Sequence, residues 1–270
     1  MEKLKNRYRY SYILLKQLIK TDFKLRYQNS VLGYLWTLLR PLFLFMILYV
    51  VFVVVLKTGG DVPHFGVYLL LGIILWNYFV EVTTGSVGSI VGKGDILRKV
   101  NFPRYVIVLA GSFSALINLS LNLLVVSLFM WLGKAEPNHY ALLFPLLIAE
   151  LFVFALAVSF ILSAAYVTFR DLNYIWEVIV QAAFYATPIL YAFSYVTQKS
   201  PIVAKLIMIN PVAQIIQDAR YGLVTNKTAT IASVYHNKMA YVAPIMIVLV
   251  LAVFSAIYFR KKSPNFAENV

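Results

Sequence analysis

Residues 105–132 read YVIVLAGSFSALINLSLNLLVVSLFMWL, a run with no Asp, Glu, Lys or Arg. The hydrocarbon core of a bilayer is about 30 Å thick, and about 20 apolar residues of helix cross it. This run is longer than that. A lone strand could not replace it, because its backbone groups would stay unpaired in lipid. The composition of the whole chain agrees with a polytopic, all-α membrane protein. Of its 270 residues 61% are hydrophobic and 13% charged, where soluble domains average roughly half and a quarter.

Five further runs accompany it, which makes six expected transmembrane helices in a single transmembrane domain. They lie at about 34–56, 66–84, 141–167, 174–191 and 239–259, and carry only Arg40, Glu81, Glu150, Glu177 and no charge, respectively. Lys and Arg gather before the first run (Lys3, Lys5, Arg7, Arg9, Lys16, Lys20, Lys24, Arg26), after the second (Lys93, Arg98, Lys99, Arg104) and in the tail (Arg260, Lys261, Lys262). Basic connections stay in the cytoplasm, so both ends of the chain are expected there. The net charge of +13 then belongs to topology and anionic headgroups rather than to nucleic acid. The first thirty residues hold no long apolar stretch, so no cleavable signal peptide is expected.

Two connections carry structure of their own. Residues 10–28 read as an amphipathic interfacial helix, with Leu15, Leu18, Ile19 and Phe23 on one side, Lys16, Lys20 and Lys24 beside them, and Asp22 spaced to pair with Arg26. In the long connection 193–238, Pro201–Ile209 and Pro211–Val224 are apolar but too short to span. Asn210-Pro211 separates them, since a residue before proline avoids the helical region. A short re-entrant helix pair on the outer side is expected.

Several chemistries are excluded. The absence of cysteine removes disulfides and thiolate chemistry. His64, His139 and His236 lie far apart without partners at helical spacing, so no metal site is expected. Gly88-Ser89-Ile90-Val91-Gly92-Lys93-Gly94 has the wrong glycine spacing for a phosphate loop and lacks Ser or Thr after the lysine. What remains is polarity inside apolar helices. Ser114, Asn118 and Asn122 recur every four residues, as do, nearly, Glu177, Gln181, Tyr185 and Pro188. Such stripes either join helices or line an aqueous path. Tyr49, Trp76, Phe45, Phe79 and Tyr185 offer flat faces on which sugar rings can slide.

A series of short motifs stands in order along the chain. It begins Phe23-Lys24-Leu25-Arg26-Tyr27-Gln28-Asn29-Ser30-Val31-Leu32-Gly33-Tyr34-Leu35-Trp36, then Arg40-Pro41. Leu71-Gly72 and Trp76-Asn77-Tyr78-Phe79 follow, then Leu97-Arg98-Lys99-Val100-Asn101-Phe102-Pro103-Arg104 and Phe169-Arg170-Asp171-Leu172. Last come Thr187-Pro188-Ile189-Leu190-Tyr191 and Asn210-Pro211 with Arg220. Together they resemble the membrane (permease) subunit of type-2 ABC exporters of lipid-linked polysaccharides, the O-antigen, teichoic acid and capsule group. One departure is that Tyr105-Val106-Ile107-Val108 lacks the second proline often found there. Gly59–Phe65 looks most like exporters of rhamnose-rich wall polysaccharides.

The resemblance implies a homodimeric pore in a bacterial cell (inner) membrane. Two separate ABC ATPase subunits would hold the ATP and Mg, with no cofactor on this chain. It implies a coupling region at 86–98 (Val87, Ile90, Val91, Lys93, Asp95, Ile96, Arg98), whose Gly88, Gly92 and Gly94 allow close approach. A polyprenyl-(pyro)phosphate-linked polysaccharide would present its charged head to Lys24, Arg26 and Arg40. The polymer would pass Ser114, Asn118, Asn122, Glu177, Gln181, Tyr185, Tyr49 and Trp76 and leave by an outer gate at Asn210, Pro211 and Arg220. Two other classes compete. A secondary transporter predicts inverted repeats; an intramembrane glycosyl or acyl transferase predicts clustered acids or histidines. Neither pattern is in the sequence. The topology predicts that single cysteines at Lys199 or Lys227 react with an impermeant thiol reagent from the outside; reaction from the cytoplasmic side only would overturn it.

Overall fold

The structure is a computed structural model that describes residues 11–22, 33, 35–56, 62–94 and 102–266. Among these every regular element is helical. Residues 11–22 form α1. Leu35–Tyr49 form α2, continued by a π-helix at Val50–Val55. Then come α3, Phe65–Val87; α4, Tyr105–Leu132; α5, Phe144–Tyr166; and α6, Leu172–Ala186. The connection to the last long helix holds α7, Ser194–Lys199; α8, Pro201–Ile209; α9, Pro211–Leu223; and α10, Ile231–Tyr235. Val242–Lys262 is α11.

The architecture is arranged around α3. This helix is apolar on every side, and a helix of that kind belongs in an interior. Of its most apolar window 78% is buried, against 6% for the span of α2. Helices α2, α4, α5 and α6 all contact α3, and α11 packs along α5. Polar contacts fix the register between helices. Ser159 Oγ on α5 donates to the Val82 carbonyl (3.2 Å), and Trp176 Nε1 on α6 donates to Thr83 Oγ1 (3.3 Å).

Among the described residues five helical stretches are long and apolar enough to cross a membrane: Leu35–Val55, Phe65–Val87, Tyr105–Leu132, His139–Tyr166 and Met239–Asn265. The count becomes six if the bent pair α8–α9 is taken as one span. The expected fifth span, 174–191, is shorter than its apolar run. Its helix has 15 residues, about 22 Å at 1.5 Å per residue. Thr187 ends it in an extended conformation (φ −88°, ψ 136°), because Pro188 bars its predecessor from helical geometry. The same rule breaks the pair at Asn210 (φ −65°, ψ 119°), where the chain turns by 99°. Asn210 then caps α9, its side chain accepting from the Val212 N–H (3.0 Å).

The bundle has two structured ends. At one, here the distal end, α3 and α5 begin, α4 and α6 finish, and α9 packs among them. At the other, the proximal end, α1 meets the turn after α3, the start of α4, and the ends of α5 and α11. Leu18, Ile90, Phe102, Val106, Ile107, Val167, Phe259 and Phe266 form a second apolar core there.

Candidate functional site

At the distal end a charged side chain is completely enclosed. Arg220, in the last turn of α9, has no exposed surface. Its Nε donates to the Tyr68 carbonyl (2.9 Å), one terminal nitrogen to the Pro188 carbonyl (2.6 Å) and the other to the Ile189 carbonyl (2.9 Å). Its Cζ stands 3.6 Å from the centre of the Tyr68 ring, close enough for a cation–π contact. Among the described residues no carboxylate pairs with it. The charge is met instead by carbonyl dipoles and by the negative end of its own helix. Pro188 contributes by stopping α6 so that these carbonyls turn toward the guanidinium.

The enclosure dictates its neighbours. A Cβ at Gly72 would lie 2.2 Å from an Arg220 terminal nitrogen and 2.9 Å from its Cζ. A Cβ at Gly222 would lie 3.1 Å from the backbone of Tyr140 and of Ala141. Asn138 satisfies the end of α9, its side-chain amide donating to the Tyr221 carbonyl (2.8 Å) and its backbone N–H to that of Gly222 (3.0 Å). Asp218 accepts from Gln214 Nε2 (2.6 Å) and from the Tyr241 hydroxyl at the start of α11 (3.3 Å). Leu71-Gly72, Thr187-Pro188-Ile189 and Asn210-Pro211 with Arg220, scattered in sequence, thus serve one junction.

The two polar stripes point in different directions. Ser114 and Asn118 are buried inside the bundle, and Asn118 Nδ2 donates to Glu81 Oε1 across α4 and α3 (2.7 Å). Asn122, half-buried, donates to the Asn118 carbonyl (2.9 Å). Within one chain this stripe joins helices. On α6 no residue is buried, and Glu177, Gln181 and Tyr185 are all exposed. Asn173 Nδ2 donates to Glu177 Oε1 (2.9 Å) along that face. Trp76 is buried against Phe79 and Phe184, whereas Tyr49 on α2 is exposed and its ring covers Gly66.

At the proximal end Val87 and Ile90 turn inward and are buried, while Gly85, Gly88 and Gly92 form the exposed side. Val91 is half-buried. Lys93 is not free: it pairs with Asp22 of α1 at 3.1 Å, while the expected partner of Asp22, Arg26, falls beyond the described residues. Lys24, Arg26, Asp95, Ile96 and Arg98 lie outside the described residues. Arg40 is exposed on α2, one residue before Pro41.

Sequence reasoning missed the Glu81–Asn118 bond and the Tyr68, Gly72 and Asp218 roles. The available signal was an arginine two residues after an aspartate in a short segment between apolar runs, whose charge needs partners if it is buried. Gly72→Ala is expected to drive the guanidinium from its carbonyls and to destabilise the chain by about 3–5 kcal/mol, as for a broken buried pair. Gly111→Ala, where a Cβ meets nothing within 4 Å, should be neutral or stabilising by about 0.5–1 kcal/mol. Melting of both variants in detergent checks the contrast.

Comparison with known proteins places this geometry. Residues 13–224 match the sequence model of the ABC-2 type transporter family. The O-antigen export system permease protein RfbA of Myxococcus xanthus is 29% identical over 264 residues, 95% of each chain. A Klebsiella pneumoniae protein of the same name is 30% identical over 96% of this chain and 97% of the relative. Another from Klebsiella pneumoniae is 31% identical over 79% and 82%. With that match over residues 13–224, the chain belongs to the ABC-2 type transporter family.

Proposed function

We propose that this chain is the permease subunit of an ATP-driven exporter that moves a polysaccharide, carried on polyprenyl-(pyro)phosphate, from the cytoplasmic to the outer side of a bacterial inner membrane. The names of the relatives support the polysaccharide. The observation that carries the path is the uncovered α6. It bears Glu177, Gln181 and Tyr185 on an exposed face of an apolar bundle. Charged and polar side chains facing lipid are costly, by up to about 2.5–3.5 kcal/mol for a charge at the centre of a transmembrane helix. A second copy of the chain, with an aqueous path between the two, removes that cost. The path then runs between the α6 faces, with the exposed Tyr174, Tyr185 and, on α2, Tyr49 as surfaces for sugar rings.

The remaining parts follow from this arrangement. ATP and Mg bind on two ATPase subunits, which dock at the proximal end around Ser86–Arg98. That end is cytoplasmic. The lipid-linked phosphate approaches Lys24, Arg26 and Arg40, a basic set rich in donors. The distal end is the outer gate, with Asn210-Pro211 as its bend and Arg220 as its anchor. Asn118 and Asn122 hold the wall behind the path, and Ser114 and Trp76 lie buried in that wall.

The test is transport in vesicles holding both subunits. Gln181→Trp puts bulk on the α6 face and is expected to slow ATP-dependent movement of the lipid-linked glycan several-fold while the complex still assembles. Leu124→Trp, on an equally exposed face of α4, should transport normally. Normal transport by Gln181→Trp would exclude the α6 face as the path.

A further inference from the structure

The turn after α3 shares an apolar core with the residues that follow α11. After α11 a 3₁₀ turn, Ser263–Asn265, leads into Phe266, whose side chain is 2% exposed. Phe266 lies in the proximal core with Ile90 of the turn after α3, Leu18 of α1 and Phe102 before α4. Its ring meets that of Phe259 edge-on, centres 5.4 Å apart. Outside this core Arg104 donates to the Ser263 carbonyl, which ties the segment before α4 to the tail a second time. Ile90 has no exposed surface; its side chain is held in this cluster, while Gly88 and Gly92 on either side present bare backbone outward.

We infer that Ser263–Phe266 is a clasp, a positioning element for the ATPase partner. It fixes α1 and the coupling turn as one docking platform, further tied by Asp22–Lys93 (3.1 Å). The inference rests on the reading that the ATPase docks at this end, and goes beyond it by assigning the docking geometry to a segment past the residues that the family model covers, 13–224. The physical reason is that a glycine-flanked turn has little rigidity of its own. A partner that presses on bare backbone gains affinity only if that backbone is already in place.

The chain has no cysteine, so Ser89→Cys gives one thiol on the platform. In the assembled complex it is expected to cross-link to the ATPase subunit. Adding Phe266→Ala should abolish the cross-link and cut co-purified ATPase several-fold, although the chain still inserts; Phe266→Leu should restore both. Arg104→Gln, a smaller lesion that frees the tail without opening the core, should weaken the cross-link too and carries the test if Phe266→Ala does not accumulate. If the parent Ser89→Cys cross-links and the Phe266→Ala and Arg104→Gln variants do so equally, the clasp is wrong and the docking site stands. If the parent fails to cross-link while the complex assembles, the docking site is wrong and the clasp falls with it.

Discussion

A guanidinium enclosed with no carboxylate partner among the described residues is the constraint on which the distal half of this protein depends. Arginine does not give up its proton in proteins, so Arg220 remains charged where water cannot reach it. Taking such a charge out of water costs several kcal/mol unless its donors are met. Tyr68, Pro188 and Ile189 meet them with carbonyls, the first from the start of α3 and the other two from the stretch just past the end of α6. Every neighbouring feature serves that arrangement: a glycine at 72 to admit the head group, a proline at 188 to end α6, and a ring at Tyr68 to cover one face of the cation.

The consequence is a division within the bent pair. Helix α9 buries Pro211 through Arg220 without interruption, while α8 buries only Ala204 and Met208. The bend at Asn210 lies between a half built into the wall and a half held by a smaller apolar cluster with Phe193 and Ile231. The opposite end is built differently. There the contacts are apolar, and the polar ties, Asp22–Lys93 and Arg104 to Ser263, lie at the rim where water screens them. The distal end is thus locked by a buried charge, and the proximal end is held by apolar packing with its polar ties at the rim.

Most of the helices were legible because lipid demands long apolar runs. Their facing was not. Lipid and protein interiors are equally apolar, so hydropathy does not tell an inner helix from an outer one. The span of α2 has mean hydropathy 2.6 and is 6% buried; α3 has 1.7 and is 78% buried. The stripes Ser114-Asn118-Asn122 and Glu177-Gln181-Tyr185 look alike as spacings, yet one faces α3 and the other faces outward. The proline break at 211 marked the end of α8, whereas Pro188 falls within the expected fifth span, and the apolar run to Tyr191 concealed how short α6 is. The convergence of Gly72, Pro188 and Arg220 was invisible, because the first and the last stand 148 positions apart and no local pattern joins them.

Amide hydrogen exchange on the chain in lipid nanodiscs tests the central claim most directly, since slow exchange reports how firmly each helix is held. The expected result is that α9 exchanges as slowly as α3 and far more slowly than α8, and that Arg220→Lys, which keeps the charge but loses the planar fork, brings α9 up toward the rate of α8. Exchange in α9 as fast as in α8 in the unaltered chain, or no effect of Arg220→Lys, would contradict a distal end held together by Arg220.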